Sequence, residues 1–186
     1  MPDKYQNKYR IPSARLQTWD YGRDAAYFVT ICTKNREHFF GEIVDSVVET
    51  QCIASLQPTT IGKMVEQEWI KTPELRPDMN LELGEFVLMP NHFHGIMIIG
   101  KNKYNTLPLP SLNNANQFGP QSKNLGSIIR GFKSSVTTQA KKTGNVNFAW
   151  QSRFHDHIIR DAKSFERIQN YIINNILNWK DDKFFS

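Results

Sequence analysis

The chain has 186 residues, of which 39% are hydrophobic and 12% are aromatic. This length and composition suit one domain with a sizeable core, and we treat residues 1–186 as a single domain. The first residues are polar and charged, and no run of eighteen apolar residues occurs, which argues against a signal peptide and a membrane span. We therefore expect a cytoplasmic protein in which Cys32 and Cys52 are reduced thiols.

The net charge of +5 is distributed unevenly along the chain. Residues 1–36 carry seven Lys and Arg against three Asp and Glu, and residues 120–160 carry seven against one. Residues 37–100 are acidic, with ten acidic side chains against three basic ones. Two basic blocks favour a surface that attracts a polyanion such as nucleic acid. Two solvated surfaces without a partner explain the same charges equally well.

Taken in chain order, the sequence predicts strands that alternate with helices. β-branched and aromatic residues predict a strand over 25–36 and a shorter one over 38–44. Thr59 is expected to cap a helix that ends near Pro73. The remaining predicted elements are a hairpin of strands 81–89 and 92–99, a mobile loop over 101–124, a helix over 126–142, a strand over 152–160, and a helix from Asp161 to about Trp179. This order predicts an α+β fold, a ferredoxin-like antiparallel sheet with helices packed on it.

Two His-x-His pairs occur, His92 and His94 in "LMPNHFHGIMIIG" and His155 and His157 in "RFHDHIIRD". Side chains two residues apart on a strand lie on one side, roughly 6.5 Å apart, so either pair can converge on one metal ion. The first pair is favoured because it directly follows a turn and because Gly95 leaves room for a ligand or another backbone to approach. Spacing alone does not choose between the pairs, and an isolated pair is more often two hydrogen-bonded polar residues than a metal site.

The last predicted helix offers two further side chains with chemical potential. Its apolar residues Phe165, Ile168, Ile172, Ile176 and Trp179 predict one buried stripe. Tyr171 and Asn175 lie four residues apart on the flank of that stripe, where they can face a site between helix and sheet. Two imidazoles and one amide oxygen make three metal ligands, and a tyrosine beside them is a nucleophile for phosphoryl transfer. The alternative is a tyrosine that covers the core edge and a surface asparagine.

Four blocks of the sequence resemble the REP-associated tyrosine transposases, a group of HUH nucleases with one catalytic tyrosine. The blocks are "RLQTWDYGRDAAYFVTICTKNREHFFGEI", "MPNHFHGIMII", "LGSIIRGFKSSVT" and "FHDHIIRDAKSFERIQNYIINNILNW". They occur in the order found in that group and cover most of the chain except 101–124 and the last few residues. One departure is Ile176, because the group commonly has proline after the two asparagines, and this concerns the helix end more than the metal ligands.

The resemblance implies a role for each matching residue. His92, His94 and Asn175 would bind a divalent metal, Mg or Mn, and Tyr171 would attack DNA. The implied protein is an HUH single-tyrosine transposase domain that cleaves and rejoins single-stranded DNA through a 5′-phosphotyrosine intermediate, at hairpin-forming, REP-like sequences. The second histidine pair lies outside the implied ligand set. Related enzymes include monomers and homodimers.

Basic side chains in the two basic blocks are expected to contact DNA phosphates. They are Arg10, Arg15, Arg23, Arg130, Lys133, Lys141, Lys142 and Arg153. Two other hypotheses stay open at this point. One is a catalytically inactive, domesticated nucleic-acid-binding module of the same fold, and the other is a metal-dependent hydrolase that uses bound water and forms no covalent adduct.

Overall fold

The computed structural model of the protein describes residue 16 and residues 18–48, 51–106 and 122–185. In these ranges the elements are β1 (Ala25–Cys32), β2 (Gly41–Val48), β3 (Gln51–Pro58), α1 (Thr60–Lys71), β4 (Leu81–Leu88), β5 (His92–Ile99), α2 (Leu125–Lys142), β6 (His155–Ile159) and α3 (Ala162–Ile173). Four strands form an antiparallel sheet in the order β4, β5, β1, β6, and β2 pairs with β3 in a separate hairpin. The predicted α+β fold with an antiparallel sheet is confirmed.

The sheet carries a hydrophobic core on each face. On one face it packs against α1 and α2, and Phe93 of β5 meets Trp69 of α1 with ring centroids 4.7 Å apart. On the other face α3 packs through Ile168 and Ile172 against strand residues that include Ile96. Because successive side chains of a strand point to opposite faces, the two histidines that flank Phe93 lie on the α3 face.

Gly95 has a different role from the one predicted. A Cβ at this position would lie 2.8 Å from Cζ2 of Trp69 and 2.9 Å from Cε1 of Phe93. The missing side chain therefore makes room for aromatic rings on the α1 and α2 face. The expectation that Gly95 opens space for a ligand beside the histidines is wrong, because it faces the other side of the sheet.

The helices begin where their capping residues predict. The side chains of Thr59 and Asp161 each accept a hydrogen bond from the backbone N–H three residues later, at 3.1 Å and 2.7 Å. The first helix then ends at Lys71, just before Pro73, as the sequence indicates.

The first strands differ from their prediction. β1 ends at Cys32 and not at residue 36, because Asn35 and Arg36 have φ values of 56° and 58°, which no extended strand accommodates. Where one short strand over 38–44 was predicted, the chain forms the β2–β3 hairpin. The residues between these strands are Glu-Thr, without the Gly, Asn or Pro that would have marked a turn.

The last helix ends at Ile173, well before Trp179, so its predicted length is wrong. The side-chain amides of Asn174 and Asn178 donate to the carbonyl oxygens four residues earlier, at 2.7 Å and 3.0 Å. The backbone N–H groups of the same two residues also donate to these carbonyl oxygens, at 3.1 Å and 3.2 Å, so the chain continues beyond Ile173 in hydrogen-bonded turns. The predicted apolar stripe is nevertheless confirmed, because Ile176 and Trp179 still pack into the hydrophobic core between α3 and the sheet.

Residues 107–121 of the predicted loop over 101–124 lie outside the described residues, so its mobility stays a prediction. The described ends of this loop are held to the domain. Asn105 Nδ2 donates to the carbonyl of Gly22 at 3.1 Å, and Lys123 forms an ion pair with Asp78. No helix within the described ranges is long and apolar enough to cross a membrane.

Candidate active site

His92 and His94 lie side by side on the α3 face of the sheet, at the start of β5. Their ring centroids are 4.5 Å apart, and only 0% and 1% of their surfaces are exposed. Tyr171 of α3 and Phe184 lie over them, with the Phe184 ring 4.7 Å from His92 and the Tyr171 ring 5.4 Å from His94. The structure thus brings the two predicted ligands together beneath the last helix.

One nitrogen of each imidazole is held by a neighbouring side chain. His92 Nδ1 lies 2.8 Å from Asn91 Oδ1, and His94 Nδ1 lies 2.8 Å from Thr30 Oγ1. His92 Nε2 is buried and has no hydrogen-bond partner among the described residues. An imidazole that is held through one nitrogen and leaves the other open is typical of a metal-binding histidine.

Both imidazoles are neutral in this environment. Burial, aided by the positive charges of Arg36 and Lys183, lowers the pKa of His92 to about 3. Burial and the neighbouring His92 hold the pKa of His94 well below its usual range. Neutral rings keep the lone pairs that a metal ion needs, because a protonated imidazole cannot bind a metal.

A carboxylate that the sequence analysis did not identify joins the two histidines. It belongs to Asp182 in residues 179–185, which we call the covering segment. One ligand atom from each of His92, His94 and Asp182 lies within 4.8 Å of the other two, a spacing that one metal ion can bridge. The stretch "KDDK" around Asp182 has no strand or helix periodicity, so no pattern could have linked it to the histidines.

Asn175 lies just beyond the end of α3 and is 2% exposed. Its Nδ2 donates to Asp182 Oδ2 at 3.3 Å, whereas its Oδ1 is buried without a hydrogen-bond partner in the described part of the chain. Unpaired buried acceptors cost free energy, and this site holds two of them, Asn175 Oδ1 and His92 Nε2. A divalent cation would interact favourably with both atoms, so these residues fit a metal.

Tyr171 stands directly beside this group of ligands. Its Oη lies 3.3 Å from His94 Nε2 and donates to Asp182 Oδ2 at 3.3 Å. The side chain is 41% exposed, so the phenol reaches both the site and the solvent. Burial and the negative charge of Asp182 raise the pKa of Tyr171, which makes the phenolate costly to form unless positive charge is brought near.

The second histidine pair has a different environment. His155 and His157 lie on β6, the edge strand, and both are exposed. Thr30 is the register partner of both His94 and His155, so the two pairs point to the same face of the sheet. In the described residues the second pair belongs to no group of three metal-ligating side chains.

The predicted phosphate contacts are spread over several surfaces. Arg10 and Arg15 lie outside the described residues, and Arg23 and Arg153 are exposed in the connections before β1 and β6. Four lie on α2, which packs on the face of the sheet opposite Tyr171. These four are Arg130, Lys133, Lys141 and Lys142.

Lys133 is more enclosed than a surface phosphate contact would be. Its amine donates to the carbonyl oxygens of Gln151 and Arg153 and lies 6.0 Å from the centre of the Trp150 ring. Burial lowers the pKa of Lys133 to about 8. Lys133 therefore fastens α2 to the chain that leads into β6.

Comparisons with known proteins identify a relative that is similar in sequence and a solved structure that is similar in fold. No family model matches it. An uncharacterized protein of Haemophilus influenzae is 38% identical over 176 residues, which are 93% of this chain and 92% of that protein. The chain belongs to the family of this Haemophilus protein.

The fold also matches that of a solved transposase. The structure of a REP-associated tyrosine transposase bound to a REP hairpin matches 93% of this chain and 77% of that chain, with a TM-score of 0.57 and 20% identity. At this level of identity the match shows the fold. The chain therefore has the fold of a REP-associated tyrosine transposase, as its resemblance to that group implied.

Proposed function

We propose that the protein is a single-tyrosine transposase that cleaves and rejoins single-stranded DNA through a covalent bond to Tyr171. The observation that carries this proposal is the position of the phenol, with Oη 3.3 Å from both His94 Nε2 and Asp182 Oδ2. A nucleophile in contact with a buried group of metal ligands is what metal-assisted phosphoryl transfer requires. The transposase fold and the REP hairpin bound by the structural neighbour support hairpin-forming DNA as the substrate.

The metal site that we propose consists of His92, His94 and Asn175, with Asp182 as a further ligand. Two imidazoles with an amide and a carboxylate oxygen form a mixed donor set, which suits Mn²⁺ better than Mg²⁺, although both belong to the proposal. When bound, such an ion stabilises the negative charge that develops on the phosphate.

The reaction conserves the number of phosphate ester bonds. Tyr171 Oη forms a bond to phosphorus, the bond to the 3′ oxygen breaks, and the 5′ phosphate stays on the tyrosine. Asp182 Oδ2 already accepts the phenolic hydrogen bond and is placed to receive the proton, which ends on the released 3′ hydroxyl. A 3′ hydroxyl from another strand can reverse these steps and rejoin the DNA.

The test replaces Tyr171 with Phe, which removes one oxygen and keeps the ring. Labelled hairpin DNA with a single-stranded flank is incubated with Mn²⁺ or Mg²⁺ and separated by denaturing electrophoresis. The parent should give a protease-sensitive protein–DNA adduct, and Tyr171→Phe should bind DNA without forming it. Tyr104→Phe is the matched control, because Tyr104 is 42% exposed and also donates to a carboxylate, Asp78.

The other outcomes identify the competing functions. Cleavage without an adduct in the parent indicates a hydrolase that uses water. DNA binding without cleavage in the parent, at any metal concentration, indicates a binding module of the same fold. An adduct that persists in Tyr171→Phe shows that the nucleophile lies elsewhere.

A further inference from the structure

Asn91, in the turn between β4 and β5, makes hydrogen bonds of opposite sense with its two amide atoms. Its side chain is fully buried. Nδ2 donates to the carbonyl oxygen of Phe184 at 2.9 Å, and Oδ1 lies 2.8 Å from His92 Nδ1. Because a carbonyl oxygen only accepts, the first bond fixes which end of the amide is nitrogen. The atom that faces His92 is therefore the amide oxygen.

This orientation determines the protonation pattern of His92. An amide oxygen also only accepts, so the hydrogen of the neutral imidazole must be on Nδ1. Nε2 then has a lone pair, and it is this buried atom that lacks a partner among the described residues. At Nδ1 of His94 there is no equivalent constraint, because its partner Thr30 is a hydroxyl that can either donate or accept.

We propose that Asn91 is a positioning residue that holds His92 in the tautomer and ring orientation in which Nε2 binds the metal. This inference rests on the metal site of the proposed function. The side chain of Asn91 also links the turn between β4 and β5 to the covering segment, through its hydrogen bond to Phe184. The alternative role for Asn91 is therefore purely structural, and the experiment must distinguish the two roles.

Two substitutions distinguish these roles. Asn91→Asp keeps an oxygen facing His92 but cannot donate to the Phe184 carbonyl, whereas Asn91→Leu removes both bonds at similar volume. If Asn91 acts by orienting His92, Asn91→Leu should weaken Mn²⁺ binding by about 10- to 100-fold, and Asn91→Asp should restore it to within about threefold of the parent. If the link to Phe184 is what matters, both variants should lose affinity alike.

Binding is measured by titration calorimetry with Mn²⁺ and by the visible absorption of Co²⁺, which reports the ligand geometry. Arg36→Lys is the matched control, because it keeps the positive charge near His92 and removes the guanidinium whose Nη1 donates to the carbonyl of Lys183, in the covering segment, at 3.0 Å. This control should bind Mn²⁺ within about threefold of the parent, since its bond to the segment leaves the partner of His92 Nδ1 in place.

The tautomer itself is measured on the metal-free parent by a long-range proton–nitrogen NMR correlation spectrum. We expect Nδ1 of His92 to be the protonated nitrogen and Nε2 the unprotonated one. Protonation of Nε2 instead, or unchanged Mn²⁺ affinity in Asn91→Leu, overturns the inference and leaves the metal site standing. A parent that binds neither Mn²⁺ nor Co²⁺ overturns the proposed function as well. If Asn91→Leu does not fold, the NMR result and Asn91→Asp still decide.

Discussion

The two histidine pairs share a spacing, a sheet and a face of that sheet, yet they have different surroundings. β5 lies between β4 and β1, so α3 and the covering segment pack over His92 and His94 and exclude water. β6 is an edge strand, and His155 and His157 remain exposed. The difference shows that the place of a strand within the sheet decides which pair becomes buried and gains further ligands.

The residue between the two histidines extends this comparison. In the first pair it is Phe93, which is fully buried against Trp69 on the opposite face. In the second pair it is Asp156, which is half-buried. The first pair is therefore carried by a strand with a core on both faces, which holds both imidazoles in fixed positions.

The largest expected effect separates the pairs directly. Replacing His92 and His94 together with Ala should lower Mn²⁺ affinity by at least about 100-fold and abolish cleavage, because two of the ligands are lost. The same double replacement of His155 and His157 should leave both properties unchanged. Titration calorimetry and the adduct assay measure the two variants side by side. If the second double variant loses the metal, the assignment of the pairs is wrong.

The next effect is on stability, and it tests whether the packing of Phe93 against Trp69 holds β5 in place. Phe93→Ala should lower the free energy of unfolding by about 3–5 kcal/mol, because it leaves a cavity beside Trp69. The exposed substitution His155→Ala should change it by no more than about 0.5 kcal/mol. Chemical denaturation monitored by tryptophan fluorescence gives both values. Equal stabilities for the two variants would show that Phe93 does not anchor the strand.

A smaller effect on metal affinity is expected from Asp182, the ligand that the covering segment adds to His92 and His94. Asp182→Asn keeps the size of the side chain and removes its charge, and it should weaken Mn²⁺ binding about tenfold, or about 1.4 kcal/mol. Asp181→Asn removes the same charge from the exposed neighbouring position and should have little effect. A similar loss in both variants would mean that the charge acts at a distance and that Asp182 is not a ligand.

The smallest effect concerns the opposite face of the sheet. Arg130 is exposed on α2, and Arg130→Gln should reduce the slope of log affinity for DNA against log salt by roughly one if it contacts a phosphate. Lys71→Gln, an exposed change on α1 in the acidic block, should leave the slope unchanged. An unchanged slope in Arg130→Gln would show that Arg130 contacts no phosphate.

Local sequence determined much of the framework of this protein. Thr59 and Asp161 begin their helices because a side-chain oxygen needs only the N–H three residues away. The β4–β5 hairpin follows from two strand-like runs on either side of a Pro-Asn turn, and the buried stripe of the last helix follows from a period of 3.6. The proximity of Tyr171 and Asn175 has the same origin, since four residues make about one turn of helix.

Tertiary structure decided which of these residues meet. The order of strands places His94 under Tyr171 and leaves His157 exposed, although the two pairs are alike in sequence. It also brings Asp182 beside the histidines and turns Gly95 toward Trp69. The physical reason is that capping and periodicity depend on the geometry of residues close together in the chain. Burial and the choice of metal ligands depend on packing between segments that are far apart in the chain. Such packing leaves no periodic trace at the positions it joins.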